Sequence, residues 1–296
     1  MYNVRVKKFL NTEQIQIFSK PVTMREETGQ RKLIDLFTNM ECDVPNFDRD
    51  TGEIFPRNRK LWVNIFTGEL EPVCNLGNEE ENIKRSVRRT KSKIYDIAKS
   101  NKWEWFVTFT FNPEKVDSFD YDIVTKKLSQ WLKNIKRKNE NMKYLLVPEQ
   151  HESGRWHFHG LFEKMENIVF VDSGKHDNKG RVIYNVGSYK LGFSTATKIS
   201  DLERACSYIT KYTTKELCVV TKGKKRYWHS KNVEMPVIEE YFLTMSESSI
   251  IENIKGVKYM SKSYNEYNEV VYIETGKGAT DFESLIYSKN SCFSNR

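Results

Sequence analysis

Apolar and polar positions alternate most regularly in the middle of the chain. Trp103 to Phe111 (WEWFVTFTF) is dense in aromatic and β-branched residues, which predicts a strand closed by Asn112-Pro113. From Tyr121 to Lys138, Ile123, Leu128, Trp131, Leu132 and Ile135 are expected on the inward face of an amphipathic helix. Lys143 to His151 predicts the next strand, Glu152-Ser153-Gly154 a tight loop, and Arg155 to Glu163 (RWHFHGLFE) the returning strand. A further hairpin is expected over Ile168 to Val186, around the polar stretch Ser173 to Gly180, and a helix over Leu202 to Leu217. Upstream, Asn82 to Ser100 spaces Ile83, Val87, Ile94 and Ile97 as a helix would, among Lys84, Arg85, Arg88, Arg89, Lys91 and Lys93. Its basic outer face suits either plain solvation or contact with a nucleic-acid backbone.

The order β-α-β-β-(β)-α-β predicts an α+β domain, a central antiparallel sheet with its helices on one face, over residues 81–237. Residues 1–80 form an N-terminal extension and 238–296 a C-terminal one, whose role the pattern does not assign. In the first extension, Asp50-Thr51-Gly52 reads as a turn, and Leu61 to Phe66 as a strand entering a hairpin at Thr67-Gly68. Position and charge make residues 1–80 a candidate for recognising duplex DNA.

Composition narrows the function classes. Of 296 residues, 38% are hydrophobic and 30% charged, and the net charge of +8 favours a polyanionic partner, of which nucleic acid is the commonest. No run approaches the roughly 20 apolar residues of a membrane span. The N-terminal MYNVRVKKFLNTEQ lacks the apolar stretch of a secretion signal, so a cytoplasmic location is expected. The five cysteines are odd in number and form no CxxC pair, which argues against a disulfide framework or a cysteine zinc site.

Two features carry chemistry. In a strand, residues i and i+2 share a face, so His157 and His159 project together while Trp156 and Phe158 point away. With a three-residue loop at 152–154, Glu149 falls opposite His157, and its carboxylate meets both imidazoles. His151, on the same face nearer the loop, is the alternative third ligand. Two imidazoles, one carboxylate and open positions suit Mg²⁺ or Mn²⁺. The second feature is the doubled YxxK of Tyr208-Ile209-Thr210-Lys211-Tyr212-Thr213-Thr214-Lys215. On one helix Tyr208 and Tyr212 would stack along one face, with Lys211 and Lys215 forming an adjacent row. A tyrosine oxygen can act as a covalent nucleophile, and a nearby lysine can favour the phenolate or hold a phosphate oxygen. The plainer alternative is a pair of half-buried core tyrosines flanked by lysines that reach to water.

Together these residues resemble the HUH endonucleases, specifically the rolling-circle replication initiators. Phe106 to Phe111 looks like that family's first strand motif, Glu149 to His159 like its metal motif, and Tyr208 to Lys215 like its nucleophile motif. The order, metal motif before tyrosine, is that of the initiators. The tandem YxxKYxxK is similar to the two-tyrosine initiators of small icosahedral single-stranded DNA phages and related plasmids. Arg226-Tyr227-Trp228 through Ser230-Lys231-Asn232 looks like the strand that follows. The resemblance spans roughly Lys102 to Asn232. It implies an RRM-like, palm-like core, Glu149, His157 and His159 as metal ligands, and Tyr208 and Tyr212 as nucleophiles. It also implies that one strand of single-stranded or extruded origin DNA is nicked, leaving a 5′-phosphotyrosine link and a free 3′-OH, and later rejoined. Host helicase and DNA polymerase are the partners expected. No GxxxxGK[ST] motif occurs, so no nucleotide cofactor is expected. A transposase or mobilisation nickase of the same chemistry, a non-catalytic origin-binding protein and an unrelated HxH metal hydrolase are the alternatives.

Overall fold

Strands that alternate between two packed faces, with helices laid on both, account for most of the chain. The computed structural model describes residues 1–22, 61–63, 70–72, 79–264, 268–278 and 282. Two compact units are distinguished, Met1–Met24 with Ile83–Arg296, and Arg25–Asn82. In the smaller unit β3 (Leu61–Val63) pairs antiparallel with β4 (Leu70–Pro72), so Leu61 to Val63 is a strand as expected. Asn64 to Gly68 and the turn expected at Asp50-Thr51-Gly52 lie outside the described residues.

The larger unit is built around a seven-stranded antiparallel sheet. Its strands are β5 (Trp105–Phe111), β6 (Lys143–Gln150), β7 (Trp156–Glu163), β8 (Phe170–His176), β9 (Val182–Val186), β10 (Gly192–Lys198) and β11 (Trp228–His229). They lie in the order β11-β6-β7-β5-β10-β9-β8, which centres β7 between β6 and β5. The period of two divides each strand between faces. Trp105, Val107, Phe109 and Phe111 of β5, with Trp156, Phe158 and Phe162 of β7, enter one core. That core is closed by α2 (Tyr121–Lys138) through Val124, Leu128, Trp131, Leu132 and Ile135. Asp120 caps α2 by accepting the N–H groups of Asp122 and Ile123, and Lys136, Arg137 and Lys138 complement the dipole of its last turn. Ile123, expected inward, is exposed; Val124 takes the buried place.

The opposite face carries Leu145 and Val147 of β6 and Leu161 of β7. These pack under Ile94, Ile97 and Ala98 of α1 (Glu79–Ser100) and Cys206 and Ile209 of α3 (Leu202–Ile209). The fold is α+β, as expected, but helices cover both faces rather than one. The reason is in β6 itself, where the run Leu145-Leu146-Val147 sends apolar side chains both ways and a one-sided sheet would leave half of them in water. All four tryptophans of this region, Trp103, Trp105, Trp131 and Trp156, are buried in these cores.

The two extensions are not separate. β1 (Tyr2–Lys8) and β2 (Thr12–Val22) join β12 (Val237–Tyr241), β13 (Val257–Tyr264) and β14 (Glu269–Gly276) in a five-stranded antiparallel sheet, ordered β12-β1-β2-β14-β13. Val4, Val6, Ile15 and Ile17 from the N-terminal strands pack with Val271 and Ile273 of β14 and Ile250 of α5 (Glu247–Glu252). The buried ion pair Lys7–Asp96 (2.9 Å) and the Lys99–Glu274 pair (3.0 Å) tie this sheet to α1. Residues 1–22 are thus central strands rather than a detachable recognition arm. Deleting Met1–Val22 removes four buried aliphatic side chains worth about 1.5–3 kcal/mol each, against the roughly 5–15 kcal/mol that holds a domain. Limited proteolysis of that deletion is expected to cut rapidly within 237–276, and protection equal to the parent would refute the central-strand assignment. No described helix is long and apolar enough to cross a membrane.

Candidate active site

The β6–β7 hairpin builds the first half of the site. The N–H of His151 donates to Arg155 O (2.9 Å) and that of Gly154 to His151 O (2.8 Å). Gly154 adopts φ +81°, a left-handed conformation that disfavours a side chain. The loop is therefore the three residues Glu152–Gly154, and the ladder sets Glu149 opposite His157. On the other side of β7, Thr110 pairs with His157 and Thr108 with His159. Five polar side chains thus share the face that α1 and α3 cover only in part.

Their contacts are specific. Thr108 Oγ1 lies 3.1 Å from His159 Nδ1, and Thr110 Oγ1 lies 3.2 Å from His157 Nδ1. Anchored through Nδ1, both rings present Nε2 to the site. His159 Nε2 and Glu149 Oε2 are hydrogen-bonded at 2.7 Å. That bond holds the Glu149 carboxyl below the usual carboxylate range. Burial, followed by the neighbouring His151 and His159, holds His157 below an ordinary imidazole, so it is neutral at pH 7. His151 stacks beside His157 with ring centroids 5.4 Å apart, but it is exposed, and its Nδ1 is paired with Ser153 Oγ (3.1 Å) within the turn. Among the described residues no three His, Cys, Asp or Glu side chains stand as a ready cage for a metal ion. Glu149 is drawn onto His159 instead. In kind, however, the donors fit a hard divalent cation: an ionised carboxylate and imidazoles fixed by hydrogen bonds at the far nitrogen.

The second half departs from expectation. The helix expected over Leu202–Leu217 is broken into three pieces. Asp201 caps α3 through the N–H of Arg204, and α3 ends at Ile209. Thr210–Tyr212 is a single 3₁₀ turn, Thr213 leaves helical geometry at φ −85°, ψ 88°, and Thr214 caps α4 (Lys215–Val220) by accepting from Leu217 N–H. The threonines explain the break. Thr210 Oγ1 donates to Ser207 O (2.7 Å), and Thr214 uses its hydroxyl as a cap, which competes with a continuous helical ladder.

The tyrosines remain neighbours, with ring centroids 5.4 Å apart and edges at 87°, in unlike surroundings. Tyr212 lies flat on the His159 ring, at 3.6 Å between centroids and 7° between planes. Burial, followed by a hydrogen bond with Tyr208, pushes the Tyr212 phenol well above its ordinary range. Tyr208 is 44% exposed, meets Phe106 edge-on at 5.5 Å, and has Lys211 Nζ 5.4 Å from its ring centre. Lys215 opens α4, so the expected row of Lys211 and Lys215 on one helix does not form. Thr108, Thr110 and Phe106 had no role assigned from sequence. The signal was present, since Thr108 and Thr110 are the polar members of an otherwise apolar strand, at the same spacing as the histidines.

No curated protein and no solved structure matches the chain. Residues 104–217 match the family model of the ORF2-type replication-associated protein, a stretch that runs from the edge of β5 through both tyrosines. Over that stretch the chain is a replication-associated protein of the rolling-circle Rep type.

Proposed function

We propose that this protein is an endonuclease and strand-transferase that initiates rolling-circle replication by attacking one strand of its origin with a tyrosine. The observation that carries the reading is the stacking of Tyr212 on His159, within a cluster that also holds Glu149, His157 and Tyr208. The phenolic oxygen of one tyrosine forms a bond to phosphorus as the P–O3′ bond breaks. The phenol gives up its proton and the departing 3′ oxygen gains one. A 5′-phosphotyrosine and a free 3′-OH result, and the reverse attack by a 3′-OH reseals the strand. Two adjacent tyrosines allow a second cleavage before the first link is resolved. Lys211 is placed to favour the Tyr208 phenolate or to hold a phosphate oxygen.

Glu149, His157 and His159 would hold Mg²⁺ or Mn²⁺, with His151 at the rim as the alternative. The ion supplies polarisation of the scissile phosphate and offsets charge in the transition state. Thr108 and Thr110 orient the imidazoles, so Thr108→Val with Thr110→Val should weaken Mn²⁺ binding about 10–100-fold. Titration followed by electron paramagnetic resonance measures this, and unchanged affinity would remove the two threonines from that role.

The substrate in this reading is single-stranded or extruded origin DNA, in a host cytoplasm, with host helicase and polymerase extending the 3′-OH. No nucleotide cofactor takes part. Incubation with single-stranded origin DNA and Mn²⁺ should give a protein–DNA adduct that survives denaturation in detergent. Binding without any adduct would favour a non-catalytic origin-binding protein. Cleavage that persists without both tyrosines would favour a simple metal hydrolase.

A further inference from the structure

Beside Tyr208 the sheet opens into a cavity of about 640 Å³. Its floor comes from β5, β9 and β10, one wall from α3, and the other from the turn between β8 and β9. We propose that this cavity is a nucleotide subsite, which holds one unpaired nucleotide of the DNA strand adjacent to the phosphate under attack. The inference rests on the nicking reading above and extends it to residues outside the Glu149–His157–His159 cluster.

Continuity is the first argument. Tyr208 and Thr108 line the cavity, and they also belong to the tyrosine and histidine arrangement. A strand whose phosphate lies at Tyr208 therefore has its next residue at the cavity mouth. Composition is the second. Phe106 and Ile183 offer apolar surface to a base, while Thr195 and Thr197 bring hydroxyls that can meet its edge. The volume lies within the roughly 300–1,000 Å³ of small-ligand pockets.

Charge is the third argument. Asp177 is engaged by Arg181, at 2.6 Å, and by the backbone N–H groups of Lys179 and Arg181. Asp201 is engaged as the cap of α3, accepting from Arg204 N–H at 3.0 Å. Both acids at the rim are thus tied down, and the exposed Lys179, Lys198 and Arg204 set its sign. A positive rim over a part-apolar floor suits a phosphate with a splayed base. It does not suit an acidic peptide, which would leave the apolar floor without a base-sized group.

The test measures binding without divalent ion, so that it does not depend on cleavage. A fluorescent thymidine oligonucleotide is titrated at several salt concentrations. Arg204 is exposed on the first turn of α3, so Arg204→Gln leaves the core intact. It is expected to flatten the slope of log affinity against log salt by about 0.7, the loss of one single-strand phosphate contact. Thr197→Trp fills the cavity and is expected to weaken binding about tenfold. A single 5-iodouracil in the oligonucleotide should cross-link under ultraviolet light to the tryptic peptide Trp103–Lys115, which holds Phe106. Parental affinity and slope in both variants, or cross-links only to peptides outside the cavity, would overturn the subsite. A chain that binds and cross-links as described but never forms a covalent adduct retains the subsite and loses the nicking reading. Adduct formation with binding unaffected by both variants does the reverse.

Discussion

Tyr208→Phe combined with Tyr212→Phe should lower covalent adduct formation by a factor on the order of 10⁴ or more, the usual consequence of removing a nucleophile. The substitution deletes two oxygens and leaves both rings. Stacking on His159 and the edge contact with Phe106 are made by ring carbons, so the fold should survive. The stability lost should be limited to the hydrogen bond between the phenols, about 1 kcal/mol. Either single variant keeps one nucleophile. Each should still form an adduct but fail to complete repeated cleavage and rejoining, which needs both. Gel analysis of adduct and circular product on single-stranded origin DNA separates these cases. A double variant that nicks like the parent would remove the tyrosines from the chemistry.

The second large effect is on stability. Phe158 is fully buried between the two histidines along β7, on the opposite face. Its ring meets Phe111 at 6.0 Å and Trp228 at 5.3 Å, both near edge-on. Phe158→Ala should cost about 3–5 kcal/mol through lost transfer energy and the cavity left behind. Because His157 and His159 flank it on one strand, relaxation into that cavity moves the site as well. Urea denaturation reads the first effect and Mn²⁺ affinity the second. A loss under about 1 kcal/mol would mean that the α2 core does not depend on this strand as described.

The same strand shows why part of the site was legible in the sequence. WHFHGLFE alternates with period two, so histidines and aromatics must part to opposite faces, and a three-residue loop with Gly154 fixes the register that brings in Glu149. The helix over Tyr121–Lys138 was legible because its apolar spacing and its cap agree. What was not legible depends on distant partners or on competing local bonds. β10, GFSTATK, is built of small and polar residues and reads as loop, yet it pairs with β5 along its whole length. β1 pairs with β12, Val4 opposite Tyr241, across most of the chain, which no local pattern records. The break after Tyr212 turns on threonine hydroxyls that win a contest with the helical ladder, a balance too close for spacing to decide.

That break matters to the chemistry. On one continuous helix the tyrosines would be equivalent; here one is stacked and half-buried and the other faces solvent and the cavity beside it. The distribution of the adduct between them can be read directly. Trypsin cuts after Arg204, Lys211 and Lys215, so Tyr208 falls in the peptide Ala205–Lys211 and Tyr212 in Tyr212–Lys215. Adduct formed with Mn²⁺ and single-stranded origin DNA, trimmed with nuclease and digested, should place the nucleotide mass on one or both of these peptides. Its absence from both, with DNA cut or bound but never joined to Tyr208 or Tyr212, would contradict the account.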